Sequence, residues 1–213
     1  MRLLQALWEA PDDEERPFRA AFRALPTIRT QRLLLRPPRM TDAADLFTYA
    51  QDPAVSRYVL WEPHQSLRDS KASLRGMISR NRQGYPATFA IELISEARMI
   101  GTLGFQWLDP ENLSAEIGYS IARRLWGHGL ATEALQAACG YAFDSLGLQR
   151  LEAKHDVLNP GSGRVLEKAG FGPEGIARAS LHLKGRRADM QRWALLKRDW
   201  QAQQSHDDKE TRK

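Results

Sequence analysis

Hydrophobic and polar residues change their period along the chain several times. Leu33-Leu34-Leu35-Arg36 is a short apolar run closed by Pro37-Pro38, the pattern of a first strand. Thr41 offers an N-cap for a helix to about Ala50, whose apolar face carries Ala44, Leu46 and Phe47. Ser66 with Asp69 resembles a capping box, and Leu67, Leu74, Met77 and Ile78 give helical spacing to about Arg80. Ala87–Ile94 and Met99–Trp107 read as a hairpin joined by Ser95-Glu96-Ala97-Arg98, with Met99, Gly101, Leu103, Phe105 and Trp107 on one face. Ala115–Ile121 is a further strand. Leu130, Ala134, Leu135, Ala138 and Ala142 then mark a helix to about Leu146, ended by Gly147. A strand over Arg150–Val157, a helix opened by Asn159-Pro160 and closed at Gly170, and two strands near Gly175–Leu183 and Asp189–Leu196 complete the pattern.

The ends differ from this middle. Residues 1–26 read as an added helical segment, with stretches at Leu3–Glu9 and Glu14–Leu25 parted by Pro11; residues 201–213 form a polar tail expected to be disordered. At 213 residues and 42% hydrophobic, the chain suffices for one domain, placed at 27–200. No apolar run reaches the roughly 18 residues a membrane helix needs, and the acidic cluster Pro11–Glu15 suits neither a secretory nor a transit peptide. With one cysteine, Cys139, read as packing, these features predict a cytoplasmic protein with no membrane partner.

The excess of 31 Lys+Arg over 26 Asp+Glu is spread along the chain, with no zinc-finger spacing and no interleaved basic and aromatic stretch. It therefore reads mainly as a solvated surface, and nucleic acid is not expected. The histidines lack metal-ligand spacing, so no metal is expected.

The most informative stretch is Arg124-x-x-Gly127-x-Gly129-x-Ala131 between a strand and a helix. Glycines there let successive N–H groups converge on an anion at the positive end of the helix, as at a pyrophosphate site. Thr132 stands where a dinucleotide fingerprint needs glycine, and Gly-Lys-Ser/Thr is absent, so two familiar phosphate loops do not apply. A lone glycine pair also suits a plain turn. The flanking sequences decide.

Thr30–Arg36, Asp52-Pro53-x-Val55, Glu116-Ile117-Gly118-Tyr119, Trp126-Gly127-x-Gly129-x-Ala131-Thr132-Glu133-Ala134, and Asn159-x-x-Ser162 through Glu167-Lys168-x-Gly170-Phe171 together resemble the GCN5-related N-acetyltransferases. The likeness covers about residues 30–200 and is to the branch acetylating ribosomal-protein N-termini. It implies an α+β fold: a mixed, mostly antiparallel sheet of seven strands, helices on both faces, and a central splay for acetyl-CoA. It also implies acetyl transfer to a primary amine, on a protein N-terminus or a small molecule, without a covalent enzyme intermediate, and is compatible with a homodimer. Ile121, Arg123, Arg124, Trp126, Gly127, His128, Gly129, Leu130 and Ala131 would line the pantetheine arm and pyrophosphate. Asn159 would contact pantetheine, and Ser162 would protonate the leaving thiolate.

Amine attack on a thioester calls for a base, a polarised carbonyl and a proton for the thiolate. Glu116 is the candidate base, although an alternating strand also places surface glutamates. Asn159 is equally a helix cap; Gly161-Ser162-Gly163 makes a poor helix start, which favours a functional Ser162. Arg164 and Lys168 suit phosphate and a solvated helix face alike. Acceptor contacts are expected in Tyr58–Gln65 and Leu181–Arg187, with Tyr58, Trp61, His64 and His182 as candidate groove residues. Ala177-Arg178-Ala179-Ser180-Leu181 lacks a glutamate that the ribosomal branch can carry, which weakens that acceptor assignment. Two other readings remain: an acyl-CoA sensor without turnover, and a nucleic-acid-associated basic protein.

Overall fold

The computed structural model describes residues 15–211, so the stretch expected at Leu3–Glu9 lies outside them. Helix α1 (Arg16–Arg23) takes Pro17 in its first turn, where a missing N–H costs no hydrogen bond, and turns Phe18 and Phe22 inward. Strands β1 (Ile28–Arg29) and β2 (Leu33–Arg36) form a small hairpin. Asp42 is drawn into a buried ion pair with Arg36, and α2 (Ala43–Ala50) begins after it rather than at Thr41. Next come α3 (Pro53–Ser56), capped by Asp52, and α4 (Leu67–Gln83), held at one end by the Ser66–Asp69 capping box and ended by left-handed Gly84.

Strands β3 (Thr88–Leu93), β4 (Arg98–Asp109) and β5 (Ser114–Ile121) make an antiparallel meander. Helix α5 (Leu130–Gly140) runs on through a π-helical turn at Tyr141–Ser145. Then follow β6 (Arg150–Asp156), α6 (Pro160–Lys168), β7 (Gly172–Leu183), β8 (Arg186–Leu196) and α7 (Lys197–Thr211). Among the described residues the sheet order is β1-β2-β3-β4-β5-β6-β8-β7, and only β5 and β6 run parallel.

Three expectations change. The sheet has eight strands, because the two-residue β1, too short to show a period, adds to the seven. Residues 201–211 continue α7 instead of forming a disordered tail: Gln, Ala, Lys and Glu there are good helix formers, and Trp200 packs 5.5 Å from Phe143. Neither Met99 nor Trp107, which stands opposite Glu116 past an extra residue at Gln106, shares a face with Leu103 and Phe105. A bulge where Ile91–Glu92 meets Gly101–Met99 inserts Ile100 and reverses the alternation. Met99 accordingly joins Leu46, Tyr49 and Leu74 of α2 and α4, while Leu103 and Phe105 join the main core with α5.

That main core gathers Leu130, Ala134, Leu135 and Ala138 of α5 with Ile117 and Leu151. Cys139 is buried there, and burial pushes its thiol pKa up, as befits a packing residue. The α1 segment is part of the same core: Phe22 is 0% exposed, its ring 5.6 Å from Phe105. On the far side, Glu133 in the first turn of α5 ties down the β1–β2 turn. It accepts from Thr30 Oγ1 at 2.6 Å, Arg32 N at 2.8 Å and Arg32 Nε at 2.6 Å. Burial pushes the Glu133 carboxyl up, but these bonds outweigh it and leave the pKa below the usual glutamate value.

Phe22→Ala should cost about 3–5 kcal/mol and lower Tm by more than about 6 °C, whereas an appended segment would leave Tm unchanged. Glu133→Gln should cost about 1 kcal/mol near neutral pH, or about 2–4 °C in Tm. Because the folded pKa is depressed, this contribution is present above the ordinary value of 4.5 and is lost as pH falls through the lowered folded value. Thermal melts from pH 7 to pH 3 should show the gap to the parent narrowing in acid; a constant gap would remove the electrostatic role.

Candidate active site

Strands β5 and β6 pair through Ser114–Arg150, Ala115–Leu151 and Glu116–Glu152, then part. Beyond that point β5 is bonded to β4 and β6 to β8. A second bulge lies at the parting: Phe105 faces Ile117 and Trp107 faces Glu116, which leaves Gln106 extra. A bulge bends its strand and increases local twist, so the β4–β5 pair swings away from β6 here. The inner edges of the two arms thus carry backbone N–H and C=O groups without a ladder partner, suited to a ligand bearing amides.

Residues alternate across the fork. Ile117, Tyr119 and Ile121 face the α5 side, where Ile117 and Ile121 enter the main core. Glu116, Gly118 and Ser120 face the α2 side, where Ser120 Oγ lies 3.1 Å from Thr102 Oγ1. Tyr119 reaches from β5 to α6: its hydroxyl donates to the Ser162 carbonyl at 3.1 Å and shares a hydrogen bond with Ser162 Oγ at 3.0 Å. Burial pushes the Tyr119 phenol up to about 12, so it stays protonated near neutral pH. Tyr119 appeared in sequence only as a letter of the Glu-Ile-Gly-Tyr motif. Its alternation with Glu116, which puts it on the face of α5, was the available signal.

Asn159 Oδ1 accepts from Ser162 N at 3.4 Å and so caps α6. Gly163 has a packing cause that the sequence did not disclose: a Cβ there would lie 2.8 Å from His155 Nε2. Burial lowers the His155 pKa and its Nδ1 pairs with the Asp156 carbonyl, leaving Nε2 packed as an acceptor without a partner among the described residues. A separate depression of about 380 Å³ lies on that flank of α6, lined by His155, Val157, Gly163, Arg164, Ile176 and Trp193.

After β5 the chain turns through Arg123–Leu125 into the glycine loop. Gly127 at φ 82° and Gly129 at φ 75° both hold left-handed torsions that glycine adopts freely. Trp126 Nε1 donates to the Ile121 carbonyl at 2.8 Å, and Arg32 Nη1 donates to the His128 carbonyl at 2.9 Å, which fixes the loop at both ends. Helix α5 starts at Leu130 with no side-chain cap, so its first N–H groups are open to an anion. Leu130 and Ile121 are buried and Ala131 half-buried, as supports for the loop. Arg124 is engaged elsewhere, in a two-armed ion pair with Glu96 at 2.9 and 2.5 Å whose hydrogen bonds hold the Glu96 carboxyl below its usual pKa. Arg123 lies 3.9 Å from Asp52.

Glu116 projects from the α2 side of the fork. Its Oε2 accepts from Trp107 Nε1 at 3.2 Å and from Lys154 Nζ at 2.8 Å. On that half of the molecule the two segments expected to contact an acceptor meet: Lys184, at the tip of the β7–β8 hairpin, donates to the Ser56 carbonyl at 2.8 Å and pairs with Glu62 at 3.2 Å. His64 Nδ1 bonds Ser70 Oγ at 2.8 Å, its pKa lowered by burial, with Trp61 5.8 Å away. Tyr58 stacks under Arg57. His182 is exposed on β7, separated from β6 by β8, and is not brought to the fork. Among the described residues no group of three or more His, Cys, Asp or Glu could hold a metal ion, and no helix is long and apolar enough to cross a membrane.

Residues 32–172 match the family model described as an acetyltransferase (GNAT) domain. The chain is 36% identical to p20 of Bacillus licheniformis, described as an uncharacterized N-acetyltransferase, over 82% of this chain and 98% of that one. It is 32% identical to the ribosomal protein uS5 alanine N-acetyltransferase of Escherichia coli over 83% and 94% of the two chains. The solved structure of Mycobacterium smegmatis RimJ in complex with CoA-disulfide superimposes with a TM-score of 0.73 at 26% identity, covering 80% of this chain and 87% of that one. Fold, family model and relatives agree that the chain belongs to the GNAT family and is an N-acetyltransferase.

Proposed function

We propose that the enzyme takes acetyl from acetyl-CoA and transfers it by direct attack to a primary amine. The observation that carries this reading is the fork between β5 and β6, with the Tyr119–Ser162 pair on one face and Glu116 on the other. In this reading the pantetheine amides take up the free backbone groups of the two arms, and the pyrophosphate lies on the Trp126–Gly129 loop and the open end of α5. Backbone N–H groups supply the phosphate contacts, since Arg124 is held by Glu96. A relative solved with CoA-disulfide supports the choice of cosubstrate.

The thioester then lies where the sheet is open to both faces. The acceptor approaches from the α2 side, where Glu116 takes a proton from its ammonium, directly or through water. Nitrogen attacks the carbonyl carbon, the C–N bond forms and the C–S bond breaks. On the α5 side Ser162, held by Tyr119, gives its proton to sulfur as charge collects there; the second proton lost from nitrogen passes through solvent to restore the serine hydroxyl, and CoA leaves as thiol. Relatives that acetylate ribosomal proteins support a protein N-terminus as acceptor; the closure of the acceptor side by Lys184, Ser56 and Glu62 suits a slender amine of either kind.

Release of free thiol from acetyl-CoA across a panel of peptide N-termini and small amines tests the activity. Amine-dependent thiol release is expected; tight binding without turnover would instead identify an acyl-CoA sensor. Ser162→Ala should lower kcat by about 100-fold with KM for acetyl-CoA nearly unchanged, because the hydroxyl acts mainly in the transition state. Gly129→Val should abolish the rise in Tm caused by acetyl-CoA. A wild-type kcat in the first variant would return Ser162 to a helix-terminus role, and unaltered binding in the second would remove the loop from the cosubstrate site.

A further inference from the structure

The fork is crossed twice, once on each face. On the α5 side the crossing is Tyr119 to Ser162. On the α2 side it is Lys154, two residues past Glu152, the last β6 residue paired with β5, reaching back to Glu116 with Nζ at 2.8 Å from Oε2. The side chains of this ion pair are 42% exposed at Lys154 and 13% at Glu116. A pair with one partner so open adds little to stability, so the fold has little need of it. Its chemistry is more telling: Lys154 brings a primary amine into hydrogen-bond contact with the carboxylate assigned above to deprotonate the acceptor. The other described lysines do not share this placement; Lys184 is bound to Ser56 and Glu62, while Lys71 sits on α4, Lys168 on α6, and Lys197 and Lys209 on α7.

Resting on that assignment of the fork, we propose that Lys154 is itself an acceptor, acetylated in cis when no external amine is present. The ammonium gives one proton to Glu116, which passes it to solvent. Nζ attacks the thioester carbonyl; the C–N bond forms as the C–S bond breaks. The second proton lost from nitrogen balances the one taken up by the thiolate, so one proton is released for each acetyl transferred. The product is a neutral amide that no longer pairs with the Glu116 carboxylate. Each chain is modified once, and the modification vacates the place beside Glu116 for the ammonium of an external acceptor.

The test uses the full chain with acetyl-CoA and no added amine, followed by intact mass and peptide mapping over time. One acetyl increment per chain is expected, located at Lys154 and formed at least about tenfold faster than at any lysine of the same chain unfolded in denaturant, since the fold holds amine and thioester together. Gly129→Val should suppress it, and Lys154→Arg should leave no fast acetylation elsewhere. Acetylation of Lys154 no faster than of Lys71, Lys168 or Lys197, or an equally fast increment in Lys154→Arg, would overturn the proposal. If the parent acetylates external amines while Lys154 stays unmodified, this inference falls alone; if neither occurs, the reading of the fork as a transfer site falls with it.

Discussion

The parting of β5 and β6 after three residue pairs is the constraint on which the rest of the site depends. A buried sheet ordinarily satisfies its backbone groups by continuing the ladder. Here the extra residue Gln106 bends β4 and β5 at the level of Glu116 and Ile117, and β6 follows β8 instead. Two arms of free backbone result, along with a sheet open to both faces at one place. The flanking parts serve that opening. Glu133, Thr30 and Arg32 fix the start of α5, so the glycine loop keeps a set position relative to the β5 arm.

In the proposed reaction the two faces divide the chemistry. Tyr119, Ser162 and the glycine loop lie with α5 and α6, where burial keeps the phenol protonated and able to hold the serine. Glu116 lies on the other face, with Trp107 and Lys154 on its carboxylate. Strand alternation alone produces this division: Glu116 and Tyr119 are three residues apart, an odd number, so they must face opposite ways. In the proposed reaction, proton removal by Glu116 and thiolate protonation by Ser162 therefore proceed without the two groups exchanging their proton directly.

Much of this was legible in the sequence. Capping residues at Ser66 and Asn159 and glycines at 147 and 170 set helix boundaries that local chemistry dictates. The loop motif between strand and helix marked the candidate anion site for the same reason. What escaped was non-local. The bulge at Ile100 moved Met99 to the opposite face, because an inserted residue is visible only against the partner strand. Arg124 reads as a phosphate ligand, and its ion pair with Glu96, 28 residues away in sequence, has no local signal. Gly163 reads as an anomaly in helix propensity until His155 is seen against it. Glu116 was singled out as a candidate, but its partner Lys154 lies on another strand and has no motif of its own.

Hydrogen–deuterium exchange with and without CoA tests the central claim most directly, since it reads the backbone groups themselves. If the acyl arm lies between β5 and β6, CoA should slow exchange in residues 117–121 and 153–156, on the amides facing the fork, and in residues 127–131 of the glycine loop. Protection confined to the depression between α6 and the β7–β8 hairpin, with the fork exchanging as before, would contradict it.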